Sequence, residues 1–191
     1  ERREAEAAVA SLSNQGMRVL AVAGSQRRPE NPFLGQRTAD EADLQLNGLL
    51  GFRDPLRSEA PAAIAECQQA GIRVQLITGD HLLTAHAVAE AAGVTHDHGA
   101  LLTGEELDRL PPEELTRRVR EIGIFARVRP EQKHSIIEAL QRAGAVVAMT
   151  GDGVNDVPAL RRADVAISLG RRASAAARAA ADLVLQEDSR V

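Results

Sequence analysis

The sequence predicts an α/β protein built on a doubly wound parallel sheet, preceded by a small α+β segment. Three observations predict it. Beyond residue 54, short runs rich in Val, Ile, Leu and Ala alternate with helical stretches of about ten residues, the signature of successive βα units. Gly71 and Gly93 stand where two of those helices should stop. Apolar residues make up 44% of the 191, yet there are three Phe and no Tyr or Trp, so the core must be aliphatic.

The elements follow in order. Glu4 to Asn14 reads as a helix and Arg18 to Ala23 as a strand. A polar stretch from Gly24 to Asp43 has no periodicity, and Leu44 to Phe52 reads as a second strand. Asp54-Pro55 breaks regular structure, which places a domain boundary there and divides the chain into residues 1–53 and 54–191. Ser58 is a candidate cap for a helix that contains Ile64, reaches Ala70 and stops at Gly71. Next come a strand from Ile72 to Ile77, the turn Thr78-Gly79-Asp80, and a helix from Leu83 to Ala92. His96 to Leu110 shows no regular pattern, and Pro112 to Arg120 suits a short helix with Pro in its first turn. Strand Gly123 to Val128, helix Pro130 to Ala143 and strand Ala145 to Met149 continue the alternation. Helix Asn155 to Ala163, strand Asp164 to Leu169, an Ala-rich helix from Ser174 to Ala181 and strand Leu183 to Leu185 complete it. No internal repeat is visible.

Composition narrows the function. A net charge of −4 argues against nucleic acid as a partner, and Arg161-Arg162 and Arg171-Arg172 read as solvated helix ends. The single cysteine, Cys67, rules out an internal disulfide or a Cys-based zinc site and reads as a small buried helix residue. No apolar run reaches the roughly 18–20 residues that span a bilayer, and Glu1-Arg2-Arg3-Glu4-Ala5-Glu6 is charged helix surface rather than a signal peptide. The chain is expected to be soluble, and its start at Glu rather than Met fits either a piece cut from a longer polypeptide or N-terminal processing.

The chemistry concentrates in Met149-Thr150-Gly151-Asp152-Gly153-Val154-Asn155-Asp156, a strand end leading through two glycines and two carboxylates into a helix. In a parallel α/β sheet, ligands bind beyond the carboxyl ends of the strands. Asp152 and Asp156 there suit Mg²⁺, which is commonly shared between one or two carboxylates and substrate phosphates. A Gly/Asp/Asn turn capping a helix is the plainer alternative. Thr78-Gly79-Asp80 and Arg127-Val128-Arg129 also fall at strand ends, so the three loops should converge. Together they offer a hydroxyl, backbone amides and carboxylates, a kit for phosphoryl transfer, in which positioning and charge neutralisation carry most of the catalysis. Lys133 lies in the first turn of its helix, where the macrodipole disfavours a cation; a surface role or a phosphoryl-facing role would each account for it. Arg127, at a strand end, can reach the same crevice. His81 and His86 are five apart and lie on different helix faces, while His96-Asp97-His98 lacks a third well-spaced ligand for a transition metal.

These residues together resemble the cytoplasmic catalytic region of P-type ATPases, within the haloacid dehalogenase superfamily. The resemblance rests on Gly51 to Arg57 (Gly-Phe-Arg-Asp-Pro-Leu-Arg), Leu76 to Asp80, Phe125 to Lys133 and Met149 to Asp156. Pro158-Ala159-Leu160 and Ala180 to Leu185 extend it, and the wording is closer to the type II pumps, for calcium and related cations, than to the heavy-metal branch.

The resemblance implies a Rossmannoid fold and a role for each residue. Thr78, Gly79 and Asp80 would contact nucleotide phosphates or the phosphoryl group, Lys133 would neutralise phosphoryl charge, and Arg127 would help hold ATP. Asp152 would ligate Mg²⁺, with Asn155 and Asp156 completing the network. Asp54, Pro55 and Arg57 would form a hinge between residues 1–53, the end of a nucleotide-binding domain, and a phosphorylation domain at residues 54–191. The parent would be an integral membrane protein with this region in the cytoplasm. Its other partners would be the remaining membrane, actuator and upstream phosphorylation-strand segments.

Three departures accompany the match. The family's nucleophile lies in an Asp-Lys-Thr-Gly-Thr motif that does not occur here, so this chain alone should not phosphorylate itself. That motif's strand would lie between those carrying Thr78 and Asp152, so lowered stability, association or a rearranged sheet edge is expected. His81 stands where Asn is common, and Arg171 to Ala177 where Gly-Thr-Asp is usual. The alternatives to a pump fragment are a nucleophile-free Mg²⁺- and phosphate-binding pseudoenzyme and a soluble phosphatase of the same superfamily.

Overall fold

Helical and extended segments form where the apolar spacing changes period, and a computed structural model describes them for residues 2–25, 44–95, 100–170 and 173–185. The chain divides into two compact units, Glu1–Asp54 and Pro55–Val191.

In the first unit, α1 (Arg2–Asn14) is followed by β1 (Arg18–Gly24) and β2 (Gln45–Phe52). The strands pair antiparallel, with Leu20 opposite Leu50 and Arg18 opposite Phe52. Gly51 lets the hairpin close on the helix end, because a Cβ there would sit 2.9 Å from the Met17 sulfur. Leu20, Val22, Leu50 and Phe52 share one strand face by alternation and are each 41–51% exposed.

In the second unit the strands form two parallel sheets rather than one. β3 (Leu76–Ile77), β5 (Ile124–Ala126) and β4 (Leu101–Thr103) lie in the order β3-β5-β4. β6 (Ala148–Thr150), β7 (Val165–Leu169) and β8 (Leu183–Leu185) form the other sheet, in the order β6-β7-β8. The strands that lead to Thr78 and to Asp152 are therefore both edge strands.

The helices are α2 (Ala60–Gln69), α3 (Leu82–Ala92), α4 (Gly104–Arg109), α5 (Pro112–Arg118), α6 (Pro130–Arg142), α7 (Val157–Arg162) and α8 (Ala175–Ala180). Helix α6 joins the two sheets. Its Ile136, Ala139 and Leu140 pack with Leu102, Phe125 and Val128, whereas the adjacent Ile137 packs with Met149, Leu160 and Ala166. Burying Ile136 and Ile137 completely contributes about 1.5–3 kcal/mol each. Glycine ends the helices where a left-handed residue is needed: Gly93 closes α3 at φ 74°, with its N–H donating to the Glu90 carbonyl.

Five readings of the sequence need correction. Ser58 does not cap α2; its hydroxyl donates to the Glu59 carboxylate, and Glu59 occupies the cap position without a side-chain bond. The expected strand Ile72 to Ile77 contracts to Leu76–Ile77, since β5 is its only ladder partner among the described residues. Gln75 bonds the Val119 and Ile122 carbonyls instead. The stretch taken as irregular contains β4 and α4, and Thr103 with Glu106 forms a capping box at their junction. Cys67 is half-buried rather than buried. The helix expected from Asn155 begins as a single 3-10 turn, Val154–Asp156, before α7.

Candidate phosphate and metal site

The site is built from the loops that follow β3, β5 and β6, each at the carboxyl end of a parallel strand. In the first, the Thr78 hydroxyl donates to an Asp80 carboxylate oxygen at 3.1 Å and accepts the Asp80 N–H at 3.1 Å. This closes a tight turn around Gly79. Two backbone bonds tie it to the loop after β5: Arg127 N–H to the Asp80 carbonyl at 2.9 Å, and Val128 N–H to the Thr78 carbonyl at 3.0 Å. Arg127 turns at φ 53°, the one non-glycine positive φ among the described residues.

The loop after β6 folds onto Asp156. Its carboxylate accepts Lys133 Nζ at 2.6 Å on one oxygen and the Gly153 N–H at 3.2 Å on the other. The Lys133 and Asp156 side chains are only 15% and 12% exposed. Lys133 therefore does not point into solvent, and its position in the first turn of α6 is compensated by an adjacent carboxylate. Gly151 is required by this packing, because a Cβ there would lie 2.7 Å from the Asp156 Cβ.

A continuous path thus runs from Asp80 to Arg127, along the start of α6 to Lys133, and across to Asp156. Asp152 and Asn155 are exposed beside it, and among the described residues their side chains make no hydrogen bond or ion pair. The Asp152 carbonyl accepts the Ser174 N–H at 2.8 Å, which anchors this loop to the start of α8. No side-chain bond joins the Thr78–Asp80 group directly to the Lys133–Asp156 group among the described residues. The Asp54, Pro55 and Arg57 segment is exposed at the boundary between the two units.

His81 caps α3, its Nδ1 accepting the Leu83 N–H at 3.3 Å, so the neutral ring carries its proton on Nε2. Partial burial, and then the nearby Arg127 guanidinium, hold this imidazole below the usual histidine range. Among the described residues no three His, Cys, Asp or Glu side chains converge on one point; His96, Asp97 and His98 lie outside those residues.

Sequence reasoning missed a polar cluster behind the site. Gln132 is 5% exposed and fully bonded: it donates to the Gly104 carbonyl at 2.7 Å and to Asp108 at 2.6 Å, and accepts the Arg129 N–H at 2.9 Å. Arg129 grips both Asp108 oxygens at 3.0 Å. The Gln132 and then the Arg129 bonds hold the Asp108 carboxyl below its usual range. The Thr103-to-Glu106 spacing was the available signal, since Ser/Thr followed three residues later by Glu marks a helix start.

The chain is similar to known proteins. The chain is 42% identical over 190 residues to a cation-transporting ATPase of Synechocystis, covering 99% of this chain and 21% of that protein. It is 42% identical to a calcium-transporting ATPase of Bacillus subtilis, covering 97% of the chain and 21% of the relative. A probable cation-transporting ATPase F of Mycobacterium bovis is 43% identical across 93% of the chain and 20% of its own length. The chain therefore spans about a fifth of the length of the relatives it matches. Among the described residues, no helix is long and apolar enough to cross a membrane. Residues 4–164 match the model of the haloacid dehalogenase-like hydrolases, and the chain belongs to that family.

Proposed function

We propose that this chain is the phosphorylation-domain region, with the end of a nucleotide-binding domain, of a P-type ATPase. The parent couples ATP hydrolysis, through an aspartyl-phosphate, to cation transport across a membrane, and this region lies in its cytoplasmic part. The observation that carries the reading is the buried Lys133–Asp156 pair, which links the loops after two parallel strands beside the free carboxylate of Asp152. Identity above 40% to cation-transporting ATPases supports it.

The residues divide the work by what they can donate. Thr78 and the Gly79 and Asp80 amides offer hydrogen bonds to phosphate oxygens, and Arg127 adds a permanent charge toward the nucleotide. Lys133, already desolvated, is a point charge poised to meet a phosphoryl oxygen. The donor set suits Mg²⁺: Asp152 is an uncommitted carboxylate, and each Asp156 oxygen keeps a second lone pair. When bound, that ion would neutralise phosphate charge. Asn155 would orient the surrounding polar groups. Asp54, Pro55 and Arg57 would act as the hinge between residues 1–53 and 54–191. The nucleophile would come from an upstream strand of the parent, seated at the edges of β3 and β6, and this chain alone would not turn over.

Acid-stable labelling of the full-length parent by ATP labelled on its terminal phosphate is the test. Labelling that depends on Mg²⁺ and is lost in Asp152→Asn supports the reading. A parent that takes up no label, or one whose Mg²⁺ dependence is untouched by Asp152→Asn, overturns it.

A further inference from the structure

We propose that Gln132 and Gly104 are positioning residues that hold Arg127 in its left-handed conformation and thereby set the Thr78–Asp80 loop. The proposal rests on the phosphate-site reading only for its functional consequence; the geometric part stands by itself.

An arginine at φ 53° occupies a region that L side chains disfavour, and such a conformation persists only where its surroundings over-determine it. Here the two sides of the Arg127 peptide are held by different elements. On one side, the Arg127 and Val128 N–H groups donate to the Asp80 and Thr78 carbonyls. On the other, the Arg127 carbonyl lies against Gly104, so close that a Cβ on residue 104 would come within 2.3 Å of the oxygen. Gln132 locks that second contact. Its amide nitrogen bonds the Gly104 carbonyl, and its amide oxygen bonds the N–H of Arg129, two residues past the turn.

A glutamine serving only as a helix cap would need the Arg129 bond alone. Gln132 also reaches across 28 residues to Gly104 and 24 to Asp108, and Arg129 grips Asp108 as well. The β4–α4 excursion is therefore fastened to the Arg127 turn at three points: Gly104 packing, the Gln132 amide and the Asp108–Arg129 pair. Among the described residues none of these side chains bonds Thr78, Gly79 or Asp80, yet all of them fasten the peptide from which the Thr78–Asp80 loop hangs. Movement of that peptide would move the Asp80 and Thr78 carbonyls directly.

The test uses the ¹⁵N-labelled 191-residue chain. In the unsubstituted chain Arg127 should show the strong intraresidue HN–Hα contact of a left-handed residue. Gln132→Leu should weaken that contact and shift the amide signals of Thr78, Gly79 and Asp80. With Mg-ATP as the probe, it should lower affinity by roughly tenfold, the scale on which groups that orient a ligand-binding residue act. Adding Arg127→Gly should restore the Thr78–Asp80 amide positions, because glycine holds this φ without help; general loss of core packing would not be repaired that way. Should Gln132→Leu not fold, Gln132→Asn, whose amide falls short of Gly104, serves in its place. Unchanged Arg127 and Thr78–Asp80 signals in a folded variant overturn the proposal, as does failure of Arg127→Gly to restore them. Should Arg127→Ala bind Mg-ATP normally, the nucleotide role of Arg127 fails, while the amide signals still decide whether Gln132 positions the turn.

Discussion

Lys133 Nζ lies 2.6 Å from Asp156 Oδ1, with both side chains removed from most solvent. The pair joins the first turn of α6, just after β5, to the loop after β6, so one ion pair binds the two sheets together at the site. Removing one partner of such a pair leaves an uncompensated charge, at a cost of about 3–5 kcal/mol. Lys133→Met should lower unfolding stability by about 3 kcal/mol in urea denaturation. Lys133→Met combined with Asp156→Leu should recover a good part of that loss. A double variant no more stable than the single one would mean that Asp156 is held mainly by the Gly153 N–H.

Gly151 tests the same loop by steric means. Its missing Cβ would sit 2.7 Å from Asp156 Cβ and 3.1 Å from Cγ, atoms that cannot swing aside as a flexible side-chain end could. Gly151→Ala should therefore cost about 1–3 kcal/mol and displace Asp156 from Lys133. Thermal unfolding and the Lys133 side-chain NMR signal would report the two effects. An alanine variant of unchanged stability would show that the loop yields without strain.

Acid should weaken the second unit for an identifiable reason. The Val147 N–H and then the Gln141 side chain hold the Asp164 carboxyl below its ordinary value of 3.8. The Thr103 backbone N–H and then its hydroxyl hold Glu106 below 4.5. Both groups bind protons more weakly folded than unfolded, so their stabilisation is present above those ordinary values. It is lost as pH falls through the lower folded values. Stability measured from pH 6 downward should decline below about pH 4.5, and Glu106→Gln should flatten part of that decline. An unaltered slope in Glu106→Gln would remove the Thr103–Glu106 pair from the explanation.

Much of this was legible in the sequence because the signals are local. The βα alternation and the terminal glycines Gly71 and Gly93 act within a few residues. So does the run Thr150 to Asp156, whose carboxylates and glycines announce a ligand loop. What sequence reasoning missed depends on contacts far apart in the chain. Gln132 was visible only as part of a motif, because its partners Gly104 and Asp108 lie 28 and 24 residues away. β4 has three residues and borrows its ladder from β5, so no period-two pattern of useful length exists to reveal it. The strand Ile72 to Ile77 was overread for the converse reason: apolar alternation was present, but ladder bonds are made only near its end.

The edge strands yield the last prediction. Leu76 and Thr78 donate their N–H groups to Gly123 and Phe125 of the neighbouring segment. In a parallel ladder successive N–H groups point to opposite sides, so that of Ile77 is directed away from β5. On β6, the Val165 N–H reaches the Val147 carbonyl and the Gly151 N–H reaches the Ile167 carbonyl, which by the same alternation turns Ala148 and Thr150 away from β7. Ala148 and Thr150 are exposed while Met149 between them is buried, since successive side chains point to opposite faces of the sheet. In this chain the amides of Ile77, Ala148 and Thr150 should exchange with solvent faster than those of Thr78 and Gly151. In a longer parent with a strand seated at these edges, the first three should become the slower to exchange, since each would gain a ladder bond. Equal protection of all five amides in both forms would mean that these edges receive no strand, and that the upstream nucleophile must reach the site in another way.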